Sequence, residues 1–257
     1  MARLSHVQWE NSVRDLLRLD EPSGLSDSFP MEAQGAGFLF DNPADSLQVE
    51  QALWGAYGAA ASSLAQSVAS SASHLGRLLP PTSGSSNEAR ARAFVVDFGQ
   101  RAFRRPLSEA EVASYLEVYT EGVSAYADSS GFAAGVRLVI ETMLQSPYFL
   151  YRIEAGAPVE SGRALSDWEL AQRLSYFLTN SMPDDALFDA ARTGELATAA
   201  GVQQQVARLL GEPAAHEALR HFHDQLLNLP TYTGISPSPV LFPEVSPEFG
   251  SAALAST

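Results

Sequence analysis

At three points along this 257-residue chain a serine three positions ahead of a Gln or Glu stands at the head of an amphipathic run. The pairs are Ser5 with Gln8, Ser108 with Glu111, and Ser166 with Glu169. At that spacing the serine oxygen accepts a backbone N–H one turn on, and the Gln or Glu reaches back to the serine N–H. Two of the orphan donors of a helix start are then satisfied together. The runs behind these pairs have helical period: Val7, Val13, Leu16 and Leu17 after the first, and Leu170, Leu174, Phe177 and Leu178 after the third. No segment shows sustained apolar–polar alternation between turn signals. The expected fold class is all-α, an irregular multi-helix bundle with a long N-terminal loop and a Pro-rich C-terminal tail.

Helices are expected over 5–19, 45–72, 88–103, 108–127, 131–145, 166–178, 184–192, 202–210 and 214–227. The stretch 20–43 is rich in Gly, Pro, Ser and Asp and longer than most structureless connections. It carries Phe29, Phe38 and Phe40, which argues for docking. The stretch 80–88, "PPTSGSSNE", reads as a linker. Three modules follow: an N-terminal one over 1–79 with the aromatic loop, a central one over 88–155, and a C-terminal one over 163–243. The start lacks the apolar core of a signal peptide, so either a cytoplasmic protein or an internal piece is expected. The end stops without a closing element, and truncation after 243 is expected.

Charge narrows the functions. The net charge is −14, and arginine supplies all 16 basic residues. Nucleic-acid binding depends on cations meeting phosphates, so this chain is a poor generic partner for DNA, RNA or anionic lipid. The absence of cysteine excludes disulfides, thiolate chemistry and covalent haem c through Cys-x-x-Cys-His. No apolar run reaches the length of a membrane span.

The most patterned stretch, "SDWELAQRLSYFLTNSMPDDALFDAARTGEL", admits three readings: a DNA-reading helix-turn-helix, a catalytic acid cluster, or the packing core of a helical domain. As a helix-turn-helix it fails, because the second helix is acidic where a recognition helix needs polar or basic residues. As an acid–base pair, Asp184 and Asp185 sit where a helix starts, and capping accounts for them. Packing of a helical core is the reading that remains. His221 and His223 are two apart, so they face different sides of a helix; with His216 they lack the four-residue spacing of a zinc helix, and no metal site is expected. Arg101, Arg104 and Arg105 form a cluster that suits either internal ion pairs or an anionic ligand. No catalytic residue is assigned. The candidate ligand-binding residues are Phe38, Phe40, Arg101, Arg104 and Arg105.

"FGQRAFRRPLSEAEV", "MLQSPYFLYRIE" and "LSDWELAQRLSYFLTNSMPDDALFDAARTGEL", in this order, resemble a planctomycete and myxobacterial family of secreted, cytochrome c-associated multi-module proteins of unknown function. "RLSHVQWENSVRDLL" and "FPMEAQGAGFLFDN" are similar to that family's N-terminal module. The resemblance implies an exported protein of the periplasm, envelope or exterior, with further modules after this segment. It carries over no catalytic residue and no cofactor. The partners it implies are neighbouring modules of a longer parent or another envelope protein.

Two functions follow as expectations. One is a helical module that binds a partner or a polymer and is not catalytic by itself. The other is part of an envelope oxidoreductase or polymer-degrading enzyme, with a site from Arg104, Arg105, Asp184 and His221.

Overall fold

The computed structural model describes residues 1–257 except 33–39, 43, 45, 46, 82, 83, 85, 127–130, 161, 236, 239, 247, 248, 251 and 253–257. Its elements in chain order are β1 (Ala2–Arg3), α1 (His6–Leu17), α2 (Gln51–Ala69), α3 (Ala72–Leu78), α4 (Asn87–Phe103), α5 (Glu109–Ala125), α6 (Gly131–Leu144) and α7 (Pro147–Leu150). There follow β2 (Tyr151–Arg152), β3 (Ala157–Val159), β4 (Gly162–Ala164), α8 (Asp167–Thr179), α9 (Asp185–Thr193), α10 (Ala199–Leu210) and α11 (Pro213–Leu226). Short 3-10 turns occupy Leu25–Ser28, Glu195–Ala197 and Leu229–Gly234. The fold is mostly α, as the capping pattern implies. All three serine pairs form capping boxes, at the starts of α1, α5 and α8.

The departures have local causes. The helix expected over 45–72 begins at Gln51 and ends at Ala69, and Ser71 then caps a separate α3 by accepting His74 N–H at 3.2 Å. Serine hydroxyls compete with the helical ladder and favour such restarts. Two short ribbons depart from the all-α expectation. β1 pairs antiparallel with β2, Ala2 opposite Arg152 and Arg3 opposite Tyr151, and β3 pairs with β4. Strands of two or three residues are too short to show alternation.

One core of buried side chains runs through α1, α2, α4, α6 and α7, with Trp9, Tyr57, Phe94, Phe98, Ile140, Met143 and Phe149 among its members. Phe29 of the N-terminal loop is buried in the same core, edge-on to Trp9 at 4.8 Å and to Tyr57 at 5.1 Å. A smaller core joins Ala171, Leu187, Ala190, Leu196 and Leu209 of the C-terminal helices. α5 and α6 approach so closely that a Cβ at Gly135 would stand 2.4 Å from the Tyr119 ring. Among the described residues no helix is long and apolar enough to cross a membrane.

The face that α8 buries corrects the periodicity reading. Ala171, Gln172, Ser175, Tyr176 and Thr179 are buried, Leu170, Leu174 and Leu178 lie at the edge, and Phe177 is 80% exposed. The large apolar residues do not mark the buried face here, because α8 docks through small and hydrogen-bonding side chains. Tyr176 OH meets Ser12 Oγ of α1 at 2.7 Å, and Gln8 Nε2 donates to Asn180 Oδ1 at 3.0 Å.

At the centre of that seam is Arg104, 2% exposed, in the left-handed conformation (φ 56°) that ends α4. Its Nε donates to Gln172 Oε1 at 2.6 Å and its Nη1 to Tyr176 OH at 3.3 Å. Its Nη2 donates to the carbonyls of Tyr148, Phe149 and Tyr151 at 2.8, 3.0 and 2.9 Å. Burial lowers its pKa, yet arginine stays protonated. Replacing Arg104 with Met leaves these acceptors behind, each at about 1–3 kcal/mol when water cannot reach it. Arg104→Met is therefore expected to destabilise the protein by about 3 kcal/mol or more in urea unfolding. A loss below about 1 kcal/mol would show that the seam does not depend on it.

Candidate functional site

A cleft of ≈ 590 Å³ opens between the far end of the N-terminal loop, the β1–β2 ribbon, α8 and α11. The loop reaches it through two anchors. At the near end Arg3 Nη2 pairs with Glu32 Oε1 at 2.8 Å, and Arg3 Nη1 donates to Tyr57 OH at 2.7 Å. His6 N–H donates to the same Glu32 oxygen at 3.0 Å. Burial and the nearby Arg3 charge lower the His6 pKa to about 4, so its ring is neutral at neutral pH and the 3.6 Å approach to Glu32 is no ion pair.

At the far end Phe40 stacks on Phe222 of α11, with centroids 5.2 Å apart and planes 10° from parallel. Asp41 N–H donates to Gln225 Oε1 at 3.0 Å, and Asp41 Oδ2 lies 3.0 Å from His221 Nε2. Burial alone would raise the Asp41 pKa, but hydrogen bonds from His221 and Gln225 and the imidazole charge outweigh it, and the carboxyl titrates below its ordinary range. The hydrogen bond to Asp41 raises the His221 pKa against the opposing effect of burial. The rim carries Phe177 and the pair Arg173–Glu154, whose Nε–Oε1 distance is 3.1 Å. The floor carries Arg152, whose guanidinium lies 5.5 Å from the Tyr176 ring centre.

A second cleft, ≈ 500 Å³, lies on the other side of α8 between Phe103, Tyr148, Ile153 and Trp168. Arg104 and Arg105 line it. Arg105 is bidentate to Glu111, at 3.0 and 2.7 Å, and lies 4.7 Å over the Tyr148 ring. That hydrogen bonding from Arg105, with the capping contacts of Ser108, holds Glu111 down to about 2.

The residues singled out from the sequence therefore separate. Phe40 and His221 share the first cleft, and Arg104 and Arg105 the second. Arg101 bonds to Asp185. Asp184 caps α9 by accepting Leu187 N–H at 2.8 Å and pairs with Arg208 at 2.6 and 2.9 Å. Phe38 lies outside the described residues. The constellation of Arg104, Arg105, Asp184 and His221 fails as a site, because its members face different clefts and Asp184 lines neither of the two large ones. Among the described residues no group of three or more His, Cys, Asp or Glu could hold a metal ion. His216 and His223 are exposed, and His223 Nδ1 faces its own helix at Leu219 O.

Asp41, Arg152 and Phe222 belong to the cleft without a signal in the sequence, and the helical spacing places Phe177 on a packing face instead of a rim. Phe222 sits within "HFHDQ", where the neighbouring histidines drew the metal question instead. Asp41 meets His221 across 180 residues of chain, which leaves no local signal.

Three family profiles match the chain in succession. Residues 2–70 match PSD3, protein of unknown function (DUF1587); residues 90–154 match PSD5, protein of unknown function (DUF1595); residues 165–257 match PSD4, protein of unknown function (DUF1592). No curated protein and no solved structure matches. The chain is thus a tandem of three domains of unknown function.

The Asp41–His221 pair gives the loop anchor a defined pH window. A raised histidine pKa contributes stability that is whole below the ordinary 6.5 and is lost as pH rises through the raised value. A lowered aspartate pKa contributes stability that is whole above the ordinary 3.8 and is lost as pH falls through the lowered value. The stability difference between the native chain and His221→Gln should be largest between these two ordinary values and shrink on either side. Unfolding measured across that range checks it; a difference that grows above neutral pH would contradict the pairing.

Proposed function

We propose that this chain is a non-catalytic helical module of an exported, cytochrome-associated, multi-module bacterial protein of the planctomycete and myxobacterial kind, and that its loop–helix cleft binds a polysaccharide chain. The observation that carries the binding reading is the combination of aromatic rings and hydrogen-bonding side chains in one open groove. Phe40, Phe222 and the exposed Phe177 offer apolar faces, while the side chains of Asn42 and Asn180 add hydrogen-bonding groups to the same groove. A sugar ring has the same duality, an apolar C–H face and a perimeter of hydroxyls. Large aromatic faces bury much area for little side-chain entropy, and a few placed polar groups fix orientation.

Catalysis is the weaker reading for this cleft. Hydrolysis of a glycosidic bond takes two carboxyl groups free to act as acid and as base or nucleophile. The two carboxylates that line it, Asp41 and Glu154, are already engaged, one by His221 and one by Arg173. The missing cysteines leave covalent haem c to a neighbouring module.

One further observation supports docking of a neighbouring module as a second mode: Leu219, Phe222 and Leu226 form an exposed apolar stripe on α11. The two modes separate at Leu226, which does not line the cleft.

Phe177→Ala tests the polysaccharide reading directly. The ring is exposed, so unfolding free energy should move by less than about 0.5 kcal/mol. Affinity for a bound oligosaccharide, read by titration calorimetry, should fall about tenfold or more, the loss expected for one stacking ring. Unchanged affinity would remove the aromatic rim from the site.

A further inference from the structure

Arg152 is the arginine of the cleft that has no carboxylate partner among the described residues. The chain holds 30 acidic and 16 basic residues, so carboxylates are plentiful, and Arg173 in the same cleft has Glu154. Arg152 has neither a carboxylate nor a hydrogen-bond acceptor for its guanidinium among the described residues. Its Nε is buried without a partner, whereas its terminal Nη groups reach the solvent of the cleft. Its backbone is held by the β1–β2 ribbon, opposite Ala2.

The charge is reinforced from behind. Arg104 and Arg152 flank the same Tyr176 ring, with guanidinium carbons 5.6 and 5.5 Å from its centre. Arg104 is satisfied entirely by neutral acceptors, so no anion stands between the two cations. Their repulsion is one reason the Arg104 pKa is lowered. An uncompensated cation at the floor of a groove, with a second cation buried behind it, is an electrostatic demand for an anion from outside, and guanidinium matches a carboxylate with two parallel hydrogen bonds.

We propose that Arg152 makes the cleft selective for a carboxylate-bearing sugar, a uronic acid unit within the bound polysaccharide. This rests on the polysaccharide reading of the cleft. The net charge of −14 disfavours the most densely charged polyanions, so the ligand is a glycan with at most one carboxylate per sugar, one of which reaches Arg152, and not a heavily sulfated chain.

The test titrates the full chain with a trigalacturonate, with the same trisaccharide methyl-esterified, and with dextran sulfate. The acid form should bind at least about tenfold more tightly than the ester, the discrimination of one charge-assisted contact. Arg152→Gln should abolish that preference, Arg152→Lys should keep part of it, and Phe177→Ala should weaken acid and ester alike. Dextran sulfate should bind more weakly than the trigalacturonate. Equal binding of acid and ester to the native chain overturns the role of Arg152 and leaves the polysaccharide cleft standing, and it needs no variant to fold. Preference retained in Arg152→Gln, or tighter binding of dextran sulfate, also overturns the proposal. Binding of neither trisaccharide overturns both readings.

Discussion

Arg104 has no carboxylate, and its burial is satisfied by the protein acting as a solvent for the cation. The chain must turn from α7 into β2, and that turn frees carbonyl oxygens that a continuing helix would have satisfied. Nη2 takes the oxygens of Tyr148, Phe149 and Tyr151, and the remaining one, Leu150 O, accepts Leu4 N–H at 2.9 Å. Nε and Nη1 then fix Gln172 and Tyr176 of α8. One side chain thus joins the end of α4, the α7–β2 turn and α8, across sequence separations of 44 to 72 residues. Lysine offers a single point charge and cannot span this set; the forked guanidinium can.

The hydrogens around Tyr176 follow from that arrangement. Ser12 Oγ donates to Gln8 O at 2.6 Å, which uses its only proton. Tyr176 OH must therefore donate to Ser12 and keep its lone pairs for Arg104. The seam between α1 and α8 is directional as a result, and it turns Phe177, the next residue, outward to the cleft rim. A buried polar network and an exposed aromatic ring are two consequences of one docking geometry. Positioning β2 by the same arginine also places Arg152, so the site inherits its floor from the core.

Much of the fold was legible in the sequence because its signals are local. A serine and a Glu three residues apart report a helix start without reference to the rest of the chain, and Asp184 at the head of α9 does the same. The two ribbons and the face of α8 were not legible. Ala2 meets Arg152, and Ser12 meets Tyr176, through tertiary contacts that leave no period in the chain. Leu170, Leu174 and Phe177 do have helical spacing, but spacing names a face without saying what covers it. The arginine cluster shows the same limit. Three arginines within five residues look like one patch, yet the left-handed turn at Arg104 sends them to Asp185, to a buried seam and to Glu111.

The site was half legible for a related reason. Phe29, Phe38 and Phe40 argue that the loop docks, and Phe29 and Phe40 are docked, one in the core and one on Phe222. The loop is long enough to cross the molecule, so what it meets at its far end is set by packing and not by neighbours in sequence. Its two anchors have opposite electrostatic character. Near Glu32 burial, and then the neighbouring Arg3 charge, keeps His6 neutral, whereas near Asp41 the hydrogen bond to the carboxylate favours a charged His221. Loop and cleft are therefore one structure: the contacts that hold the loop also use up the carboxylate nearest the groove. With Asp41 and Glu154 both engaged, Arg152 is left as the charge that a ligand can answer. That profile suits the proposed recognition groove, in which charge would orient a ligand.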